Sequence, residues 1–228
     1  MTAIILAAGS GTRMGIGSTK QRMLILGKSI LRRCVEKFAD ADCIDAITVV
    51  VRSDEIEFAK QECFGIEKVK NIIIGGKNRA ESARNGFLSV ENETEYVMIH
   101  DACRCLVTTR EISSVADAVC SFGAASAALK VVDTVKRCDK DGYIISTVPR
   151  DDLWAALTPQ GFSAAGYRRA LEAREIPDAS VTDDNSLAEL AGIPVVCVPA
   201  ERTNIKITTA ADIPLAEAII FMQEKRNT

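Results

Sequence analysis

The sequence of 228 residues predicts an α/β fold, one mostly parallel sheet with helices on both faces. Three observations predict this class. Strand-like and helix-like segments alternate along the chain, and the first strand is an unbroken apolar run of the kind that helices cover on both faces. A glycine-rich loop follows that strand at once, as in Rossmann-like folds. At about 150 residues per domain the chain exceeds one domain but falls short of two, so we expect a single domain over 1–228 with an appendage.

Each predicted strand is a short apolar run rich in β-branched residues, and each predicted helix has apolar residues at helical spacing. The predicted strands lie, in order, at 2–8, 44–51, 68–74, 95–100 and 193–200. The predicted helices lie at 29–39, from 53 to a stop at Gly65, and at 78–90, 109–121, 163–175, 183–192 and 210–225. Thr108 and Glu111 form a capping box that opens the fourth helix. This alternation gives right-handed crossovers and hence a Rossmann-like sheet.

The alternation breaks over residues 124–160. The segments AASAALKVVDTVKR and YIISTVPR flank a turn at Asp141-Gly142 and predict a β-hairpin. The two prolines of TVPRDDLWAALTPQ favour an irregular path after it. We assign 131–160 to an arm, and because an isolated two-stranded hairpin is marginally stable in water, we expect a second subunit to cover it in a homodimer.

Composition excludes several classes of function. The formal net charge of −3 argues against an overall basic nucleic-acid binder, and no apolar run reaches the roughly 18 residues that a membrane span needs. The opening segment lacks the basic flank of a signal peptide, so we expect a cytoplasmic protein whose eight cysteines, none in a C-x-x-C pair, stay reduced and packed. The single histidine, His100, leaves no Cys/His zinc set and only one candidate for the usual base of a catalytic triad.

Positive charge is concentrated at the start of the chain. The first 35 residues contain six cations and no Asp or Glu, although the chain as a whole is acidic. Two of these cations, Arg13 and Lys20, lie in the segment LAAGSGTRMGIGSTKQ (6–21), directly after the first strand. Open α/β sheets bind ligands at the carboxyl ends of their strands, and small residues let backbone N–H groups approach an anion. The segment therefore predicts a phosphate-binding loop.

Two common nucleotide-binding loops do not fit this segment. A dinucleotide-binding G-x-G-x-x-G would need glycine where the chain has Met14, which disfavours an NAD-type oxidoreductase. The triplet Gly27-Lys28-Ser29 is similar to the end of a P-loop, but Arg22 stands where the first glycine of that motif belongs. A flexible turn would explain the glycines but not the run of cations without an acid.

Three further residues are candidates from their positions. Asp101 follows a predicted strand at the same sheet edge as the glycine-rich loop, where a carboxylate holds a ribose hydroxyl, contributes to a Mg²⁺ site or caps the next turn. Lys206, in the strand-like NIKITT, is a residue that points away from the core or a solvated edge lysine. Arg150 is a bidentate phosphate clamp or a surface arginine. Packing best explains the neighbours His100, Cys103 and Cys105.

Taken in order, these stretches are similar to those of the nucleotidyltransferases that couple CTP to sugar or polyol phosphates. The chain resembles most closely the 2-C-methyl-D-erythritol 4-phosphate cytidylyltransferase family of the non-mevalonate isoprenoid pathway. The matching segments span essentially the whole chain: AAGSGTRM, KQ, GG with NRAES, HDACR, DTVKR, WAALTPQ, TDD and NIKIT. The resemblance implies transfer of CMP from CTP to the polyol phosphate, Mg²⁺ held mainly through the CTP phosphates, and a homodimer in which the arm crosses to the partner subunit.

The resemblance also implies roles for individual residues. The implied catalytic residues are Arg13, Lys20, Arg150 and Lys206. The implied nucleotide-binding residues are Ala7, Ala8, Gly9, Gly11, Gly76, Ser82, Asp101 and Ala102. The implied residues for the polyol phosphate are Thr134, Arg150 and Lys206, the first two reaching the neighbouring subunit's site. Such a reaction needs cations that position two polyanions and no general base, which agrees with a chain that has one histidine.

The chain departs from the family pattern in three places. Lys77 stands where an acid usually follows the two glycines, Cys103 and Cys105 replace Ala and Pro of HDAARP, and Pro149 stands where an acid is common. These departures keep open a nucleotide-binding module without catalytic activity. Within the same chemistry the alternative is a ribitol-5-phosphate cytidylyltransferase, although WAALTPQGF and VTDDNSLAE are more similar to the methylerythritol family.

Overall fold

The computed structural model describes residues 1–9, 20–172 and 182–226. The strands are β1 (Thr2–Leu6), β2 (Leu24–Ile25), β3 (Lys28–Ser29), β4 (Ala46–Val51), β5 (Val69–Ile74), β6 (Tyr96–Asp101), β7 (Ala124–Lys130), β8 (Val135–Cys138), β9 (Ile144–Val148), β10 (Trp154–Ser163) and β11 (Val196–Pro199). The α-helices are α1 (Ile30–Ala39), α2 (Ile56–Cys63), α3 (Arg79–Leu88), α4 (Thr109–Phe122), α5 (Ala164–Glu172), α6 (Asp184–Leu190) and α7 (Asp212–Arg226). Short 3₁₀ helices, Lys20–Arg22 and Ser53–Glu55, precede β2 and α2.

Seven of these strands form the central sheet, in the order β11-β7-β10-β6-β1-β4-β5. β1 pairs in parallel with β4 and β6, β4 with β5, and β7 with β11. Within this sheet only β10 runs antiparallel to its neighbours, β6 and β7. The prediction of a mostly parallel α/β sheet is confirmed.

Helices cover both faces of the sheet. Successive residues of a strand point to opposite faces, so Ile5 packs in the core under α1, α4 and α7, whereas Ile4 packs in the core under α3, α5 and α6. Both side chains are fully buried. The two-sided cover explains why β1 is an unbroken apolar run, and it leaves the carboxyl ends of the strands as the open edge of the sheet.

Local signals correctly predicted where several helices begin and end. The Ser29 hydroxyl accepts the Arg32 N–H at 3.0 Å and caps α1. Thr108 and Glu111 form the predicted capping box of α4. Gly65, just after α2, has a φ of 80°, a left-handed conformation that glycine adopts without strain.

The predicted hairpin is right in its turn but wrong in its extent. Residues 124–130 are β7 of the central sheet, and the hairpin consists of β8 and β9 alone. Residues 154–163, where the prolines favoured an irregular path, form the ten-residue strand β10. Pro159 fits this strand because it lies at an irregularity in the pairing with β7, where a ladder N–H is dispensable. The segment that leaves the sheet is therefore 131–153, shorter than the predicted arm of 131–160.

The strand-like reading of NIKITT is wrong. Residues 204–208 belong to no strand, and the Ile207 N–H donates to the Cys103 carbonyl at 2.8 Å. Ile207 is nevertheless buried, while the neighbouring Lys206 side chain is 44% exposed. The alternation of the sequence therefore reflects one side chain anchored in the core and the next directed outwards, without sheet pairing.

Candidate active site

A cleft of about 440 Å³ opens at the carboxyl ends of β1, β5 and β6, the edge at which open α/β sheets bind ligands. Five separate parts of the sequence contribute to it. Its lining residues are Leu6, Ala8, Gly9, Lys20, Gln21, Gly76, Lys77, Asn78, Arg79, Ser82, Asp101, Cys103 and Lys206. Seven residues predicted for the site are among them: Ala8, Gly9, Lys20, Gly76, Ser82, Asp101 and Lys206.

Two cations hold the carboxylate of Asp101. Lys206 Nζ donates to Oδ2 at 2.7 Å, and Arg79 Nε donates to Oδ1 at 3.1 Å. Burial alone would raise the pKa of Asp101, but the charges of Arg79 and Lys206 outweigh it and hold that pKa well below its usual range. Asp101 is therefore an anion at neutral pH, and Lys206 lies at the same site as the sequence predicted.

Arg79 is the residue of this cluster that sequence reasoning missed. It is the first residue of α3, and besides Asp101 it contacts a second carboxylate, because its Nη1 donates to Asp184 Oδ2 at 2.7 Å. The other oxygen of Asp184 accepts the Tyr167 hydroxyl at 2.6 Å. The signal that could have identified Arg79 is its place in NRAES, a segment that follows the two glycines and Lys77 and lies at the start of a helix.

The loop after β5 is closed against α3 by hydrogen bonds. The Gly76 N–H donates to Ser82 Oγ at 3.0 Å, and that hydroxyl donates to the Asn78 carbonyl at 2.8 Å. The Lys77 N–H donates to the Glu81 carboxylate at 2.8 Å. A Cβ on Gly76 would lie 2.2 Å from the Cβ of Glu81, so the loop reaches this position only with glycine.

Substituting Gly76 with alanine is expected to destabilise the protein by about 1–3 kcal/mol, the usual cost of an added methyl group in a packed site. Gly9→Ala is the matched control, because a Cβ there has no atom of the described residues within 4 Å. The free energy of unfolding of that variant should stay within about 0.5 kcal/mol of wild type. Urea denaturation followed by circular dichroism measures both, and equal stability of the two variants would contradict the steric account of Gly76.

Of the four remaining residues predicted to bind the nucleotide or its phosphates, the structure describes two. Ala7 and Ala102 are buried, and their N–H groups donate to the carbonyls of Val50 at 2.7 Å and Leu6 at 2.9 Å. These two amides are therefore committed to the sheet and not available to a ligand, and the predicted contacts of Ala7 and Ala102 with the nucleotide remain predictions. The other two, Gly11 and Arg13, lie outside the described residues, so the predictions for them remain predictions.

Thr134 and Arg150 lie on the arm and do not line the cleft of their own chain. Both side chains are exposed. The Arg150 guanidinium donates to the backbone carbonyl of Val132 and so joins the two sides of the arm near its base. Within one chain the structure therefore does not bring these two residues together with Lys206 and Asp101.

The other cations near the start of the chain support the fold. Arg32 Nε pairs with Glu36 at 2.7 Å, and Arg33 Nε donates to the Ile25 carbonyl at 2.8 Å. Arg22 Nε pairs with Glu55 at 2.9 Å. Of the described cations among the first 35 residues, Lys20 is the one that lines the cleft.

His100 is fully buried, and both of its ring nitrogens have partners. Because a carbonyl oxygen only accepts, Nε2 carries the proton of the neutral ring and donates to the Arg104 carbonyl at 3.3 Å. Nδ1 then accepts from the Thr158 hydroxyl at 3.1 Å, and that hydroxyl also accepts the Asp101 backbone N–H at 3.1 Å. Because burial lowers the pKa of His100 to about 3, the imidazole is neutral and structural, as its packing predicted.

The buried histidine predicts a pH dependence of stability. Its pKa is about 3 in the folded protein and near 6.5 in an unfolded chain, so between these values the unfolded state binds a proton that the folded state does not. Stability should therefore fall as the pH decreases from about 6.5 to about 4.5, by at most about 1.4 kcal/mol per pH unit. His100→Asn keeps an acceptor for Thr158 and should flatten this part of the profile. Urea denaturation of both proteins at several pH values measures the two slopes, and equal slopes would contradict the assignment.

The cysteines are free thiols. Packing is confirmed for the buried Cys34, Cys63 and Cys105, whereas Cys103 lines the cleft and Cys120, Cys138 and Cys197 are exposed. Within the described ranges no group of three His, Cys, Asp or Glu side chains is arranged to hold a metal ion. Among the helices in those ranges, none is long and apolar enough to cross a membrane.

The α/β sheet, the cleft at the carboxyl ends of its strands and the lysines gathered there define a nucleotide-binding enzyme of the nucleotidyltransferase class. Comparison with protein families makes this specific. Residues 1–222 match the model of the family described as IspD, 2-C-methyl-D-erythritol 4-phosphate cytidylyltransferase. The chain belongs to this family, as the motifs of its sequence predicted.

Individual relatives align with nearly the whole chain. The 2-C-methyl-D-erythritol 4-phosphate cytidylyltransferase of Syntrophus aciditrophicus is 39% identical over 99% of this chain and 98% of the relative. That of Rubrobacter xylanophilus is 41% identical over 99% of this chain and 97% of the relative. The crystal structure of 4-diphosphocytidyl-2C-methyl-D-erythritol synthase from Anaerococcus prevotii superposes with a TM-score of 0.85 at 29% identity, covering 96% of this chain and 97% of that one.

Proposed function

We propose that the chain transfers CMP from CTP to 2-C-methyl-D-erythritol 4-phosphate with release of pyrophosphate, and that the cleft beside Asp101 is its active site. Relatives that align over nearly their full length are named as 2-C-methyl-D-erythritol 4-phosphate cytidylyltransferases. The observation that carries the placement is the pair formed by Lys206 and Asp101 in a cleft that Lys20 also lines. Two lysines and a carboxylate in one cleft provide charge for a polyphosphate and an acceptor for a sugar hydroxyl.

The cleft offers a separate contact for each part of CTP. The hydroxyl of Ser82 uses one lone pair and its proton within the loop, and its second lone pair is free to accept the 4-amino group of cytosine. UTP has a carbonyl at that place and would meet another acceptor. Asp101 accepts a ribose hydroxyl, and Lys20 with Arg13 contacts the phosphates.

The chemistry then needs no general base. A phosphate oxygen of the acceptor, already ionised near neutral pH, attacks the α-phosphorus of CTP. The new P–O bond forms as the bond between the α-phosphorus and its bridging oxygen breaks, and pyrophosphate leaves with that electron pair. Lys20 and Lys206 stabilise the charge that develops on the phosphoryl oxygens. His100, neutral and hydrogen-bonded on both nitrogens, takes no part.

Mg²⁺ fits this site as a companion of CTP. The described residues offer no three-ligand cluster, and Mg²⁺ commonly binds through substrate phosphates with one or two carboxylates. When bound, the ion neutralises phosphate charge and polarises the phosphoryl oxygens. The protein's own part would be to supply the lysines that contact the same phosphates.

The arm is explained by a second copy of the chain. Val132, Tyr143, Ile144 and Ile145 are large apolar side chains between 49% and 74% exposed, and a lone hairpin is marginally stable in water. We expect the arm to pack on a partner subunit in a homodimer. Thr134 and Arg150 would then contact the polyol phosphate bound in the partner's cleft.

Pyrophosphate release tests the function. The purified protein is incubated with CTP, Mg²⁺ and either 2-C-methyl-D-erythritol 4-phosphate or ribitol 5-phosphate, and phosphate is detected after pyrophosphatase is added. We expect release with methylerythritol phosphate, and none when UTP replaces CTP. Release with ribitol phosphate alone would replace the assigned acceptor, and CTP binding without release in either case would indicate a non-catalytic nucleotide-binding module.

A further inference from the structure

Arg79 is not among the residues that were assigned to a substrate. It connects the cleft to α6 through two ion pairs. Its Nε contacts Asp101 at 3.1 Å, and its Nη1 contacts Asp184 at 2.7 Å. The side chain is 28% exposed, while those of Asp101 and Asp184 are 11% and 3% exposed. Together with Lys206 these groups form a row of alternating charge, two cations and two anions.

The far end of this row is rigidly fixed. Asp184 accepts the buried Tyr167 hydroxyl at 2.6 Å through its other carboxylate oxygen. Its backbone N–H donates to Gln160 Oε1 at 3.0 Å, which ties it to β10. Arg79 is therefore anchored to α5, α6 and the central sheet, and it presents its Nε to Asp101 from a fixed position.

The near end of the row is free to change partners. Lys206 is 44% exposed and belongs to a segment outside the sheet. In the proposed reaction it also contacts phosphates, so its three N–H donors are divided between them and Asp101. The torsion that turns a carboxylate about its last bond is broad, so Arg79, held at its other end by Asp184, is the described cation that sets the orientation of Asp101 from a fixed position.

We propose that Arg79 is a positioning residue: it orients Asp101 to accept a ribose hydroxyl of CTP, and Asp184 in turn fixes Arg79. This inference rests on the proposed function, since it takes CTP as the ligand of the cleft. Arginine suits the task because its planar fork contacts two carboxylates in different directions at once. A lysine at this position would pair with one of the two.

Nucleotide binding without the acceptor tests the proposal. Isothermal titration calorimetry is carried out with Mg²⁺ and CTP, 2′-deoxy-CTP or 3′-deoxy-CTP, on wild type, Arg79→Gln, Arg79→Lys and Asp101→Asn. Wild type should discriminate against one of the deoxynucleotides, which identifies the hydroxyl that Asp101 accepts. Arg79→Gln should bind CTP about 10- to 100-fold more weakly, the usual effect of losing a charged hydrogen bond. It should bind the discriminated deoxynucleotide nearly as well as CTP.

The discrimination ratio is the Kd of the discriminated deoxynucleotide divided by the Kd of CTP. It separates positioning from a merely structural role, because it does not depend on the fraction of folded protein. Arg79→Lys, which keeps the charge, replaces Arg79→Gln in the test if the glutamine variant does not fold. Its ratio should lie between those of wild type and Arg79→Gln. The double variant of Arg79→Gln with Asp101→Asn should show no further loss of discrimination.

One control completes the set. Arg84→Gln makes the same change in the same helix at a residue that does not line the cleft. It should retain the ratio of wild type. Tyr167→Phe removes one hydrogen bond of Asp184 and should lower the ratio, but less than Arg79→Gln does.

The proposal is overturned if wild type binds both deoxynucleotides as tightly as CTP. It is also overturned if Arg79→Gln and Arg79→Lys lose affinity for all three nucleotides equally. Failure of the proposed function would look different, since wild type would then bind CTP with the expected discrimination but release no pyrophosphate with either acceptor.

Discussion

Replacing Lys206 with glutamine is expected to lower kcat for pyrophosphate release by about 10²- to 10³-fold, the usual loss when one preorganised charge at a reacting centre is removed. The ammonium group of Lys206 lies 2.7 Å from Asp101 Oδ2 in the cleft. It is therefore placed to move from that carboxylate to the phosphates as they arrive. Because the charge on those oxygens grows in the transition state, we expect kcat to fall more than KM rises.

Lys77→Gln is the matched control for this loss. Lys77 also lines the cleft and is exposed, but it has no ion pair among the described contacts. Its contact with the loop is made by the backbone N–H, which the substitution preserves. We expect its kcat to stay within about 2-fold of wild type, as for most surface substitutions. Steady-state kinetics of both variants decide the matter, and similar rates for the two would exclude a special role for Lys206.

The position of Asp101 was predictable from the sequence because it follows from a rule about sheets. The carboxyl ends of parallel strands share one edge, so a residue that ends an apolar run belongs there wherever it occurs in the chain. Lys206 was found by its family motif, and its distance of 105 positions from Asp101 was no obstacle. The strand geometry assumed for Lys206 was wrong, yet its direction was right because Ile207 is anchored in the core.

Arg79 and β10 were missed because their roles depend on tertiary partners. Arg79 matters through Asp184, also 105 positions away, and no periodicity in the sequence links the two. β10 lies between two neighbours of the central sheet, so its residues 157–162 are buried on both faces and lack the alternation that identifies a half-exposed strand. Its proline further argued against a strand. In both cases the role is set by the residues or strands that pack against the element, and the local sequence does not reveal them.

Mixing the two variants Lys206→Gln and Arg150→Ala, each of low activity, is expected to restore activity. Arg150 does not line the cleft of its own chain, and we propose that it serves the partner's cleft. Arg150→Ala alone should then lose about 10²-fold in rate, as Lys206→Gln does. After the two variants are mixed under conditions that allow subunits to exchange, half of the dimers should be mixed dimers. Each of these holds one cleft with both defects and one cleft with neither.

The size of the recovery distinguishes an arm that serves the partner's cleft from an arm that serves the cleft of its own chain. One intact cleft in half of the dimers corresponds to about a quarter of wild-type activity, because two-fold symmetry makes the two clefts equivalent. If Arg150 acted within its own chain, every cleft of a mixed dimer would carry one defect, and activity would stay near the level of the variants. The control is a mixture of Lys206→Gln with Lys20→Ala: both residues line the same cleft, so no arrangement of subunits creates an intact site. Recovery in that mixture would contradict the assignment, and recovery only with Arg150→Ala supports an arm that completes the partner's site.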